Sequence, residues 1–157
     1  MSLDIPQLGK AAVLSGTYGE PYRFKDIRVQ KPGPDEALVR LDFSGVCHGD
    51  VYSRDGGGPA PLTPVRPLIG GHEGIGEIVA LGQTLNGNKK THFQVGDVVG
   101  IAWRSAVCGK CDACVAGWEN FCEKQVVTGM RRDGTYQSTS FIFSFGSREY
   151  FQADFTL

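Results

Sequence analysis

Four cysteines crowd into one short stretch of this chain: Cys108, Cys111, Cys114 and Cys122, spaced C-x2-C-x2-C-x7-C. No other feature limits the fold so tightly. Four thiolates at these intervals can fold round one tetrahedral ion with Zn–S bonds of ~2.3 Å, and Gly109 and Gly117 let the backbone turn sharply enough to aim several sulfurs inward. Two other uses are compatible with four neighbouring thiols. Paired disulfides belong to an oxidising compartment. Iron–sulfur motifs also carry cysteines at x2 intervals, but they run on with x3-C-P where this chain has x7 before Cys122. With all four positions taken by sulfur, a metal here has no open coordination site. It is expected to be structural, holding together a lobe over about residues 104–123. The fifth cysteine, Cys47, stands apart.

Charge and hydropathy exclude several classes of function. Sixteen basic residues against 17 acidic ones give a net charge of −1, so nothing favours a polyanion, and no nucleic-acid partner is expected. No stretch approaches the ~18–20 apolar residues that span a bilayer, and Met1-Ser2-Leu3-Asp4-Ile5-Pro6 lacks the layout of a signal peptide. A soluble, cytoplasmic protein without membrane partners is therefore expected. At 157 residues, there is room for one domain or a domain plus a lobe.

The 22 glycines and 8 prolines punctuate short β-rich apolar runs, and the fold class reads as mainly β with short helices. Val39, Leu41 and Phe43 alternate with Arg40, Asp42 and Ser44, which predicts a half-buried strand running straight to Cys47. Residues 56–67, rich in glycine and proline, predict an irregular loop. Further strands are predicted over 75–81 and, after the Gly96-Asp97 turn, over 98–103, with a polar connection at 83–90. Asp133-Gly134 predicts a hairpin turn between Val126–Met130 and the residues after Thr135. The last twenty residues differ in character: Phe141, Phe143, Phe145, Tyr150, Phe151 and Phe155 fall there, and 141–145 has strong strand propensity without charge.

A second group of metal-ligating residues flanks the irregular loop. Cys47-His48-Gly49-Asp50 lies before it and Gly71-His72-Glu73-x-x-Gly76 after it. Singly, His72 reads equally well as a hydrogen-bonded core histidine, Cys47 as a buried apolar residue and Glu73 as a solvated charge. Together with Gly82, the Val95-Gly96-Asp97 turn and the four-cysteine lobe, the order and spacing from about Lys10 to Gln137 resemble the zinc-containing alcohol dehydrogenases of the medium-chain dehydrogenase/reductase family.

The resemblance implies a GroES-like, partly open β-barrel catalytic domain over residues 1–137 with a structural-zinc lobe, followed by a divergent aromatic tail over 138–157. It also implies site roles. Cys47 and His72 would be ligands of a catalytic zinc and Glu73 the nearby glutamate that approaches it. Asp50 would hold the free ring N–H of a metal-bound histidine, and His48 would contact the cofactor pyrophosphate. The implied chemistry is oxidation of an alcohol to an aldehyde or ketone with hydride passing to NAD. A small alcohol or aldehyde would be the substrate, and homo-oligomers are usual in the family. A polyol or other substrate remains open within the same framework, as does a non-catalytic, zinc-stabilised product.

Three departures from the family pattern stand out. Gly49 and Tyr52 replace a hydroxyl residue and a histidine that often pass the alcohol proton outward, leaving a water or the Tyr52 hydroxyl for that step. The cysteine count leaves none for the third catalytic-zinc ligand, so either Glu73 completes the site or it is incomplete in this chain. Finally, a dinucleotide-binding unit needs G-x-G-x-x-G at a strand-to-helix turn with an acidic residue ~20 positions on; Gly74-Ile75-Gly76 offers only G-x-G, and the Gly82–Lys89 stretch departs from a phosphate loop by an intervening asparagine. The chain is thus expected to look truncated, with its Rossmann domain absent.

Overall fold

The computed structural model describes residues 5–57, 64, 66–87 and 93–143. Phe145, Tyr150, Phe151 and Phe155 of the tail lie outside these residues, as does most of the loop predicted over 56–67. The chain runs through β1 (Leu8–Leu14), β2 (Arg23–Arg28), β3 (Glu36–Ser44), α1 (His48–Asp55), β4 (Leu68–Ile69), β5 (Gly74–Leu81), β6 (Val98–Ile101), β7 (Arg104–Ala106), α2 (Asp112–Val115), β8 (Val126–Val127) and β9 (Thr139–Phe143). Short strands and two short helices match the mainly β class read from the sequence. Among the described residues, no helix is long and apolar enough to cross a membrane.

Among the described residues, three antiparallel sheets form, in the orders β2-β1-β4, β6-β5-β3-β9 and β7-β8. The four-stranded sheet buries apolar residues on both faces. Ala37, Val39, Ile78, Leu85, Val99 and Ile101 make one cluster; Leu38, Val79 and Ala80 pack with Ile5 and Val29 in another. Central strands covered on both sides account for the continuous apolar run Ala37-Leu38-Val39. Leu85 joins the core from the connection that the sequence marks as polar, because a tight turn from Gly82 carries it back onto the sheet. Gly82 itself is a packing residue: a Cβ there would lie 2.0 Å from the Gly33 carbonyl oxygen and 2.4 Å from that of Pro34.

Two local predictions need correction. The alternation over 39–44 does not hold to its end, and Phe43 is 75% exposed. The β3–β5 register shifts between Leu41 and Phe43, so that Leu41 faces Gly76 while Phe43 faces Ile75. The extra residue, Asp42, reverses the parity of every side chain after it. The Asp133-Gly134 hairpin also does not form: β8 pairs with β7, and β9 pairs along β3 from Arg40 to Glu36. Residues 133–136 bind elsewhere. Gly134 N–H donates to the Ile69 carbonyl at 2.8 Å, Thr135 N–H to that of Gly71 at 3.1 Å, and Tyr136 N–H to that of Gly70 at 2.9 Å. The reason is steric: a Cβ on Gly134 would lie 2.0 Å from the Gly71 carbonyl oxygen, so only glycine permits this approach. That contact places the segment containing Tyr136 against the segment containing His72.

Candidate functional site

Cys47 stands at the start of helix α1. Cys47 is the N-cap in extended conformation, and its Sγ accepts the Gly49 N–H at 3.4 Å. Asp50, in the first turn, completes the arrangement by accepting the Cys47 N–H on Oδ2 at 3.0 Å, a capping box built on a thiol. At the other end of the helix, the Arg66 guanidinium donates to the carbonyls of Ser53 and Arg54 and to those of Ser15 and Thr17. A cation at the carbonyl end favours the helix dipole. Helix α1 is therefore fixed at both ends, and Cys47 with it.

His72 arrives from the Gly70-Gly71 link between β4 and β5 and is 6% exposed. Its ring lies between the edge of Trp103, with centroids 4.8 Å apart at 87°, and the Asp50 carboxylate, with Nδ1 3.4 Å from Oδ1. Nε2 faces the other way and lies 3.8 Å from Glu73 Oε1. Ligand atoms of Cys47, His72 and Glu73 all fall within 4.8 Å of one another, so one thiol, one imidazole and one carboxylate converge on a single point. This donor set, borderline-soft with an oxygen partner, fits zinc.

Asp50 is the hub of the site and is only 4% exposed. Besides Cys47 N–H on Oδ2 and His72 on Oδ1, it receives the Gly71 N–H on Oδ1 at 3.1 Å and the Tyr136 hydroxyl on Oδ2 at 2.8 Å. Burial opposes its charge, but the contacts from His72, the Cys47 N–H and Tyr136 outweigh it and hold the carboxyl below its usual pKa. The same pair acts in reverse on His72, whose pKa is raised by the Asp50 hydrogen bond against the opposing effect of burial, with help from Cys47. Burial pushes the Tyr136 phenol far above its usual range, and the Asp50 carboxylate pushes it further. An open groove of about 520 Å³ reaches Asp50 and Tyr136 between Ala12, Tyr22, Val46 and Val51.

The remaining residues predicted for this site are more peripheral. His48 is exposed at the first helical position, its ring edge-on to Tyr52 at 4.7 Å. Tyr52 is half-exposed. Gly49 faces the donors: a Cβ there would lie 3.4 Å from His72 Cε1 and 3.7 Å from Cys47 Sγ. Tyr136 and Trp103 join the site without any mark in the sequence. Nothing in local spacing distinguishes them, since each is placed by backbone contacts distant in sequence, Tyr136 with Ala12 and Gly70 and Trp103 with Thr128.

The four-cysteine stretch forms a separate lobe. Gly109 and Gly117 both adopt positive φ, at 69° and 82°, as the tight turns require. Cys111 caps α2, Cys114 lies within it, and Cys122 follows a 3₁₀ turn over Glu119–Phe121. All four Sγ atoms lie within 4.8 Å of one another, and Cys108 and Cys114 are 4.0 Å apart. A tetrahedron with ~2.3 Å bonds has S–S edges of about 3.8 Å, so these sulfurs fit one zinc ion. No disulfide joins them, and a four-iron cluster would hold the sulfurs wider apart. Backbone N–H groups of Lys110 and Cys111 draw the Cys108 thiol down to about 6, whereas burial and the neighbouring Cys111 push Cys114 up to about 12.

Residues 33–143 match the family described as the alcohol dehydrogenase GroES-like domain. Over 135 residues the chain is 38% identical to alcohol dehydrogenase 1 of Emericella nidulans, covering 86% of this chain and 36% of that protein. Among solved structures, acetophenone reductase from Geotrichum candidum, in complex with NAD, superposes with a TM-score of 0.73 at 30% identity, covering 89% of this chain and 39% of the other. A cobalt- and zinc-bound thermostable alcohol dehydrogenase from Pyrobaculum aerophilum gives 0.72 at 27% identity, covering 87% and 39%. The chain thus spans little more than a third of the length of these relatives.

Proposed function

Since this chain belongs to the alcohol dehydrogenase family through its GroES-like domain, we propose that it forms the metal-binding catalytic part of a zinc-dependent oxidoreductase that interconverts an alcohol and its aldehyde or ketone, with NAD as hydride acceptor. The observation that carries this reading is the convergence of Cys47, His72 and Glu73 within 4.8 Å, from two segments joined through Asp50.

Cys47, His72 and Glu73 would hold the catalytic zinc, and Cys108, Cys111, Cys114 and Cys122 a structural one. When bound, the catalytic zinc supplies Lewis-acid chemistry, lowering the pKa of an alcohol hydroxyl so that hydride can leave its carbon for the nicotinamide ring. The protein's own groups prepare that event. Asp50 Oδ1 accepts from the Nδ1–H of His72, which fixes the tautomer and leaves the Nε2 lone pair for the metal. Trp103 limits the tilt of the ring, and the Gly71 N–H holds the Asp50 oxygen that faces it.

His48 stands at the positive end of α1, where an imidazole N–H and the helix N–H groups favour a cofactor phosphate. The alcohol proton must leave without a side chain at Gly49. A water beside Gly49, or the half-exposed hydroxyl of Tyr52 one turn further on, provides the route to solvent. The lobe takes no part in proton transfer. Its buried sulfurs and Val107 form a small core of their own.

Metal analysis of the purified chain tests the reading. Two zinc ions per chain are expected, with His72→Ala losing one and Cys114→Ser losing the other. A single metal insensitive to His72→Ala would leave only a zinc-stabilised, non-catalytic lobe.

A further inference from the structure

Tyr136 belongs to none of the metal-ligand motifs, yet among the described residues its hydroxyl is the one side-chain donor on Asp50 that comes from neither α1 nor the His72 segment. We propose that Tyr136 is a positioning residue for the Cys47–His72–Glu73 metal site, acting through Asp50 to fix the orientation and tautomer of the His72 imidazole. This rests on the reading of His72 as a metal ligand.

A carboxylate offers about four lone-pair sites, and here each has a claimant. Oδ2 receives Cys47 N–H at 3.0 Å and Tyr136 Oη–H at 2.8 Å; Oδ1 receives Gly71 N–H at 3.1 Å and faces His72 Nδ1 at 3.4 Å. The contact to His72 is the longest of the four, so its geometry depends on how the other three hold the carboxyl plane. Two of those are backbone groups that no substitution removes. The Tyr136 hydroxyl is the adjustable one.

Its own position is well determined. Tyr136 N–H donates to Gly70 at 2.9 Å and its carbonyl accepts from Ala12 N–H at 2.7 Å. Its ring meets Tyr22 edge-on at 5.6 Å and covers Gly71 so closely that a Cβ there would lie 2.5 Å from the ring. The hydroxyl therefore cannot swing away from Asp50 without moving the ring. It also stands on the side of Asp50 that the open groove reaches, and the groove lining includes Asp50 and Tyr136 but neither Cys47 nor His72. Without it, Oδ2 would share its second site with mobile water, and the carboxyl plane would be free to turn.

The test compares the wild-type chain with Tyr136→Phe, Tyr22→Phe and His72→Ala. Cobalt(II), added to chains already carrying one equivalent of zinc, reports second-site affinity through its thiolate absorption. Imidazole ¹⁵N spectra of the metal-free chains, recorded where the rings are neutral, report the His72 tautomer; the three histidines of the chain make assignment simple. Tyr136→Phe is expected to weaken cobalt binding about three- to tenfold, less than the ~10–100-fold for a direct partner of a ligand because Tyr136 acts one step further out, and to shift His72 from the Nδ1–H tautomer towards a mixture. Tyr22→Phe removes a hydroxyl whose hydrogen bond, among the described residues, is to the Asp50 main-chain carbonyl and not to its carboxylate, so it should leave both readings unchanged. Equal effects from the two variants would mean a merely structural role and overturn the proposal.

If His72→Ala abolishes second-site binding while Tyr136→Phe binds cobalt and keeps its tautomer as the wild type does, the proposal fails and the metal reading survives. If His72→Ala retains that binding, the metal reading falls and takes the proposal with it. Should Tyr136→Phe not fold, the wild-type spectrum still decides: a neutral His72 protonated on Nε2 sinks the proposal.

Discussion

The Cys47 N–H donates to Asp50 Oδ2 at 3.0 Å, so the carboxylate that faces His72 also caps the helix that presents the thiol. One buried side chain thereby sets the spacing between two candidate ligands. Asp50→Ala would leave the donors of Cys47, Gly71 and Tyr136 without their acceptor and remove a helix cap. A loss of about 2–4 kcal/mol is expected from unpaired buried donors and the lost cap together. Urea denaturation measures it, and Asp50→Asn, which keeps one acceptor oxygen, should lose less.

The same pair gives the metal-free chain a defined pH response. Asp50 has a depressed pKa in the folded state, so its stabilising effect is present above the ordinary carboxylate range and disappears as pH falls through the folded value. His72 has a raised pKa, so its effect is complete below ~6.5 and disappears as pH rises through its folded value. The stability gap between wild type and Asp50→Asn should be widest between these two limits and narrow on either side. In the same variant the His72 titration, followed by NMR with chelator present, should move to lower pH. An unmoved His72 midpoint would mean that the two groups are uncoupled.

The two tryptophans lie one at each candidate metal site. Trp103 packs against the His72 ring at 4.8 Å, while Trp118 is in the lobe, 5.9 Å from Phe121. In Trp103→Phe and Trp118→Phe chains, the remaining indole should respond to only one of two metal equivalents. Chelation that empties the lobe should change Trp118 emission, and Cys114→Ser should abolish that change without altering the Trp103 signal. Metal uptake by the lobe should release protons and weaken in acid, because a buried thiol pushed up to about 12, as Cys114 is, must give up its proton to bind.

Gly49→Ser should be accepted. Its Cβ would meet His72 Cε1 at 3.4 Å and Cys47 Sγ at 3.7 Å, ordinary contacts, and Gly49 does not have positive φ. Replacing glycine in a helix should add about 0.5 kcal/mol of stability while placing a hydroxyl beside the candidate ligands. A melting scan with metal analysis would show a higher midpoint at unchanged zinc content; a lower midpoint would mean the site is tighter than these distances imply.

Gly134→Ala should behave in the opposite way. Its Cβ would collide with the Gly71 carbonyl oxygen at 2.0 Å and separate the Tyr136 segment from the His72 segment. A cost above ~2 kcal/mol and weakened second-site metal binding are expected. Gly100→Ala, whose nearest contact is 4.0 Å away, serves as the control and should cost little.

Much of this architecture is legible in the residues themselves. The strands over 75–81 and at 98, the tight glycines at 109 and 117, and the grouping of the four thiols follow from short-range spacing. The exposure of Phe43 is hidden because a β-bulge leaves the composition of a strand unchanged while reversing the face of each residue beyond it. The Asp133-Gly134 turn misleads because its glycine serves a close approach to Gly71 and not a hairpin. Tyr136 is hidden for a related reason: its partner Asp50 is 86 positions away.

The sequence by itself determined which chemical groups this protein can offer and, within the lobe, how they meet, because short sequence separations and two glycines at positive φ bring four sulfurs together. Tertiary structure alone decided that Cys47, His72 and Glu73 share one point, with Asp50 between two segments and Tyr136 behind it. Those meetings depend on strand register and on backbone contacts at Gly71 and Gly134 that only a missing Cβ allows, and neither leaves a periodic signal along the chain.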